Sequence, residues 1–65
     1  MITGKQTFEN GWTISVIPQG FPMEEREGFF EVWAWHADGR TDEDVQPWLT
    51  AEDVKRAVAE VASRA

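Results

Sequence analysis

Sixty-five residues with twelve acids against six bases, no cysteine, and four each of Trp and Phe confine this chain to one small domain, which buries only about 60% of its unfolded surface. Without cysteine, neither disulfides nor a Cys-based zinc site can supplement so small a core, leaving dense aromatic packing or oligomerisation. No apolar run approaches the ~20 residues of a membrane span, and the start Met1-Ile2-Thr3-Gly4-Lys5 lacks the apolar stretch of a secretory signal, so the chain reads as soluble and cytoplasmic.

The net charge of −6 is unevenly placed. Residues 1–23 balance Lys5 with Glu9, and residues 45–65 balance Glu52, Asp53 and Glu60 with Lys55, Arg56 and Arg64. The whole excess falls between, where Glu24, Glu25, Glu27, Glu31, Asp38, Asp42, Glu43 and Asp44 face only Arg26 and Arg40. Such a field repels nucleic acid and membrane surfaces and attracts basic proteins. Neither direct nucleic-acid binding nor membrane binding is expected.

Along the chain, Glu9-Asn10-Gly11-Trp12 carries the first clear signal, because a two-residue type I′ turn needs positive φ at both central positions and Asn-Gly supplies it. That turn sets Glu9 opposite Trp12, Phe8 opposite Thr13 and Thr7 opposite Ile14. Phe8 then shares a face with Thr13, Ser15 and Ile17, while Trp12, Ile14 and Val16 form the other. Residues 18–27, with two prolines, a glycine and four charges, read as a loop in which Phe21 and Met23 tuck against the sheet edge.

The strand Gly28-Phe29-Phe30-Glu31-Val32-Trp33-Ala34-Trp35-His36 organises the rest. Side chains alternate, so Phe30, Val32 and Ala34 face one way and Phe29, Glu31, Trp33 and Trp35 the other, and both faces are largely apolar. Asp38-Gly39 marks a turn. The acidic, irregular segment from Arg40 to Gln46 has room for a short edge strand near 41–45, and Trp48 and Leu49 are too apolar for a free loop. Thr50 is the expected N-cap of a helix, with Asp53 closing an acidic capping box and Leu49 and Val54 as a hydrophobic staple. Val54, Ala57, Val58, Val61, Ala62 and Ala65 recur at helical spacing, with Glu52/Arg56 and Glu60/Arg64 as outer i,i+4 pairs.

The expected fold is α+β: a three-stranded antiparallel sheet (3–8, 12–17, 28–36) with one C-terminal helix, 51 to about 63, on a single face. The helix is placed over Trp12, Ile14, Val16 and one face of the third strand, the Trp33/Trp35 side being preferred to the Phe30/Val32/Ala34 side. One helix cannot cover both faces, so an apolar patch is left for a partner, and a homodimer with sheets face to face is expected. The alternative is a monomer lidded by residues 18–27.

Catalytic signatures are sparse. The five glycines are isolated and none precedes a helix start, so nucleotide binding has no support. His36, the only histidine, has no nucleophile partner of the triad kind. Residues 38–44 miss the spacing of a calcium loop, and a metal-dependent enzyme would need a set such as Asp38, Asp42 and His36. No cofactor, metal site or enzymatic role is therefore expected. The candidate protein-binding residues are Phe29, Phe30, Trp33 and Trp35 as aromatic anchor, with Asp42, Glu43 and Asp44 as acidic rim.

In the layout of Asn10 to Val16, Gly28 to Trp35 and Trp48 to Val54, the chain resembles the small acidic accessory proteins encoded by bacteriophages and prophages. The resemblance implies a protein that binds and blocks a host protein, as anti-CRISPR and other counter-defence proteins do. The sequence leaves open a structural homo-oligomer without inhibitory role.

Overall fold

A computed structural model describes residues 2–65. It is α+β, as expected, but the antiparallel sheet has four strands rather than three: β1 (Gly4–Thr7), β2 (Trp12–Gln19), β3 (Arg26–His36) and β4 (Gln46–Leu49), in the order β1-β2-β3-β4. Helix α1 (Ala51–Ala62) comes next and packs across one face. Thr41 makes only an isolated bridge to Trp35, so the fourth strand lies at 46–49 instead of the anticipated 41–45. Pro47 disguises it, since proline cannot donate to a ladder and belongs on an edge.

The first hairpin closes where Asn10-Gly11 indicated, but with different geometry. Phe8 donates to the Trp12 carbonyl at 2.8 Å and Gly11 to that of Phe8 at 3.0 Å, which makes a three-residue loop with only Gly11 at positive φ, +90°. The register is therefore Thr7 with Thr13 and Gln6 with Ile14, one residue from the type I′ expectation. A slip of one residue reverses every side chain, so Phe8 joins the core side beside Trp12 rather than the Ile17 side.

Between β2 and β3 the register pairs Trp12 with His36, Ile14 with Ala34 and Val16 with Val32. Trp12, Ile14, Val16, Val32, Ala34, Val54 and Val61 form the buried core, with Phe8, Phe30, Leu49, Ala57 and Val58 packed around it. The helix thus lies on the Val32/Ala34 side, not over Trp33 and Trp35. A small floor lets a helix of valine and alanine approach closely, whereas an indole would prop it away.

The helix start is as read: the Thr50 hydroxyl accepts from Asp53 N–H, and the Asp53 carboxylate accepts from Thr50 N–H at 3.0 Å. Leu49 and Val54 both join the core. Arg56, however, pairs with Asp53 and Lys55 with Glu52, both i,i+3, while Glu60 and Arg64 form their expected i,i+4 pair. Ala62 and Ala65 are exposed. The helix C-terminus is held by Asn10, whose Nδ2 donates to the carbonyls of Val61 (2.9 Å), Ala62 (3.2 Å) and Arg64 (3.1 Å) while its Oδ1 accepts from Trp12 N–H (3.0 Å). One turn residue satisfies carbonyls that a helix end leaves without partners.

Candidate functional site

The face of the sheet opposite the helix is a row of aromatic side chains framed by polar ones. Cross-strand pairing puts Lys5 beside Ser15 and Ser15 beside Trp33, Thr7 beside Thr13 and Thr13 beside Trp35, and Ile17 beside Glu31. The rings of Trp33 and Trp35 lie 5.5 Å apart and 34° from parallel. Lys5 Nζ stands 5.9 Å from the Trp35 ring, within the range of a cation–π contact. Phe29 and Trp48 meet edge to face at 5.6 Å. Both are exposed, at 38% and 55%, and Trp33 and Trp35 are only half-buried.

Trp48 reaches this face through a backbone irregularity. Phe30 pairs with Leu49 and Val32 with Gln46, so Glu31 alone opposes two residues, Pro47 and Trp48. Such a two-against-one arrangement is a bulge, which re-aims a side chain. Trp48 has φ +59°, a conformation rare for a bulky residue, and its N–H donates to Gln19 Oε1 at 2.7 Å across the intervening strand.

The residues singled out in the sequence divide. Phe29, Trp33 and Trp35 do share this face, but Phe30 lies on the opposite side, packed against the core. Asp42 is not a rim acid: one carboxylate oxygen accepts from Ala34 N–H (3.1 Å), the other from Arg64 Nη1 (2.9 Å), and its carbonyl accepts from Trp33 Nε1 (3.1 Å). It anchors the 37–45 connection to the sheet and to the end of the helix. Glu43 and Asp44 are exposed. Trp48 was missed as a site residue, although its apolar bulk beside a proline was visible in the sequence.

Arg64 joins these parts. It pairs with Glu60 at 2.7 Å as well as with Asp42, which pushes its pKa further up, through Glu60 first and Asp42 next, and its Cζ lies 4.5 Å from the Trp12 ring centroid. His36 Nε2 donates to the Asn10 carbonyl at 2.8 Å, and its Nδ1 lies 3.0 Å from both the amide nitrogen and Oδ1 of Asp38. A Cβ on Gly11 would stand 2.6 Å from that Nε2, so the turn glycine also makes room for the ring. Among the described residues, no three His, Asp or Glu side chains come together as a metal site. His36 and Asp42 are committed to the contacts just given, and the Asp38 carboxylate accepts from Arg40 Nε at 2.9 Å.

A cleft of about 300 Å³ between the helix and β4 is floored by Val32, Leu49, Ala57 and Val61. Its charged rim closes on itself, since Asp53 is paired with Arg56, and Asp42 and Glu60 with Arg64. No helix among the described residues is long and apolar enough to cross a membrane. Comparison with protein-family models, curated proteins and solved structures returns no match.

Proposed function

We propose that the chain is a non-enzymatic protein-binding module that meets its partner through the helix-free face of its sheet. The observation that carries this is the row Phe29, Trp48, Trp33 and Trp35, which leaves tryptophan in contact with solvent on a flat apolar surface. Contiguous patches of this kind mark interaction sites, and tryptophan is enriched among residues that dominate binding energy. Binding is favoured over catalysis because the groups that could act together as acid, base or ligand are engaged in holding the fold. Glu43 and Asp44 have no ion-pair partner among the described residues and, with Glu24 and Glu25 of the β2–β3 turn, steer a basic protein toward the module. The layout shared with phage accessory proteins makes a host protein the natural target, blocked by occupancy.

The test is capture from bacterial lysate on wild-type, Trp48→Glu and Glu43→Lys/Asp44→Lys bait. The expected result is a protein held by wild type, lost by the first variant, and held less well by the second and at raised salt. A protein held equally by all three baits would sink the reading.

A further inference from the structure

Building on the reading of this face as a protein interface, we infer that its occupant is a second copy of the chain, the two sheets packing face to face about a two-fold axis. Three observations point to this occupant. The first is charge. The chain carries −6, yet the pairing sets on this face Lys5, Arg26 opposite Gln19 at its end, and Glu31, whose carboxylate already accepts from Gly20 N–H at 2.9 Å. Glu24, Glu25, Glu43 and Asp44 lie on the connections between strands, off this face. The face carries no acidic excess, so two of them meet without bringing the chain's acids together.

The second is area. Strands of four, eight, eleven and four residues, rising ~3.3 Å per residue at ~4.8 Å spacing, give a face of about 430 Å². Two copies would together cover about 860 Å², in the range of weak, transient interfaces. The dimer is therefore a reversible one, with Ile17, Phe29, Trp33, Trp35 and Trp48 of each copy interleaving as side chains do between stacked sheets.

The third is that the chain does not cover the face itself. Residues 18–27, which the sequence offered as a lid, leave Phe21 and Met23 exposed at 52% and 88%, so neither is sealed against the sheet. With the aromatic seam internal to the dimer, the acids of the turns stay outside it, on two copies at once.

Sedimentation equilibrium of the full chain, from low micromolar to near-millimolar concentration, is the test. The weight-average mass is expected to rise from 7.4 kDa toward twice that value. Trp35→Glu and Ile17→Lys each place two like charges across the seam and should move the midpoint up by about 30-fold or more, with far-UV circular dichroism showing that each variant is folded. Two substitutions are used so that one failing to fold leaves the other decisive. A mass of 7.4 kDa throughout overturns the inference, as does a dimer that both folded variants leave intact. If wild type is monomeric while Trp48→Glu still loses a captured protein, the second copy is refuted and the broader protein-binding reading survives.

Discussion

On the helix side of the sheet, Ile14, Val16, Val32 and Ala34 are at most 3% exposed. One residue further along the same strands, Ile17, Trp33 and Trp35 keep contact with solvent. Size runs against burial here: β3 gives its valine and alanine to the core and its two indoles to the open face. An indole has the most apolar area to gain from cover, so the strand divides its hydrophobicity between two uses. The small side chains bring the helix close and fold the domain, and the large ones stay on the face proposed above for a partner. A comparison of equal chemistry on the two faces measures that division.

Ile14→Ala and Ile17→Ala delete the same atoms from opposite faces of β2. Ile14 is 1% exposed, and its truncation should cost about 2–5 kcal/mol, enough to unfold much of a domain this small. Ile17→Ala should cost under about 1 kcal/mol in dilute solution, where association does not contribute. Urea titrations of both variants check this; similar losses would show the open face to be core after all.

Asn10 ties the two sides of the hairpin to the end of the helix, and the next largest effect belongs there. Asn10→Ala leaves the Trp12 N–H and the carbonyls of Val61, Ala62 and Arg64 without this partner, a loss of about 1–3 kcal/mol. Asn10→Asp should be worse than alanine, because it retains the acceptor for Trp12 but sets a negative charge against carbonyls at the negative end of the helix dipole. Thermal unfolding at neutral pH separates the two. An aspartate variant as stable as wild type would show that the three carbonyl contacts do not matter.

The hairpin also shows what was legible in the sequence. Asn10-Gly11 located the turn, but its type was not fixed, because the asparagine is demanded by helix carbonyls some fifty residues away rather than by its own φ. That single residue of register moved Phe8 to the core side. The choice of face on β3 was hidden for a related reason: the register shifts between Pro18 and Gln19, so alternation counted through the 18–27 segment loses its phase. Local signals survived. Thr50 with Asp53, and the run from Phe29 to Trp35, needed no distant partner to be read. Asp42 looked like one acid among several because its partners, Ala34 N–H and Arg64, come from other elements.

Acid should weaken the helix-covered side first. The Thr50 N–H, then the Thr50 hydroxyl and Arg56, hold the Asp53 carboxyl below its usual 3.8, and Arg64 does the same to Glu60 below 4.5. A carboxyl with a lowered folded pKa stabilises fully above its unfolded value and loses that contribution as pH falls through the folded one. Stability should therefore be flat near neutrality and decline from about pH 5 downward. Asp53→Asn should flatten part of that decline in urea titrations at successive pH values. An unchanged profile would mean that the cap carboxylate does not contribute through its charge.

The smallest expected change in stability has the largest expected consequence for recognition. Trp48 holds φ +59° while its ring, 55% exposed, leans on Phe29 rather than on the core. A left-handed conformation costs a bulky residue about 1–3 kcal/mol and persists where its surroundings impose it; glycine adopts the same angles without strain. Trp48→Gly should keep the bulge and the hydrogen bond from the residue 48 N–H to Gln19, and leave stability unchanged or raised by up to about 1 kcal/mol, the relief offset by the lost contact with Phe29. If the open face exists for a partner, the same variant should lose association. Stability retained with binding lost would show that the strain at residue 48 serves recognition, whereas a clear fall in stability would place Trp48 among the residues that hold the fold.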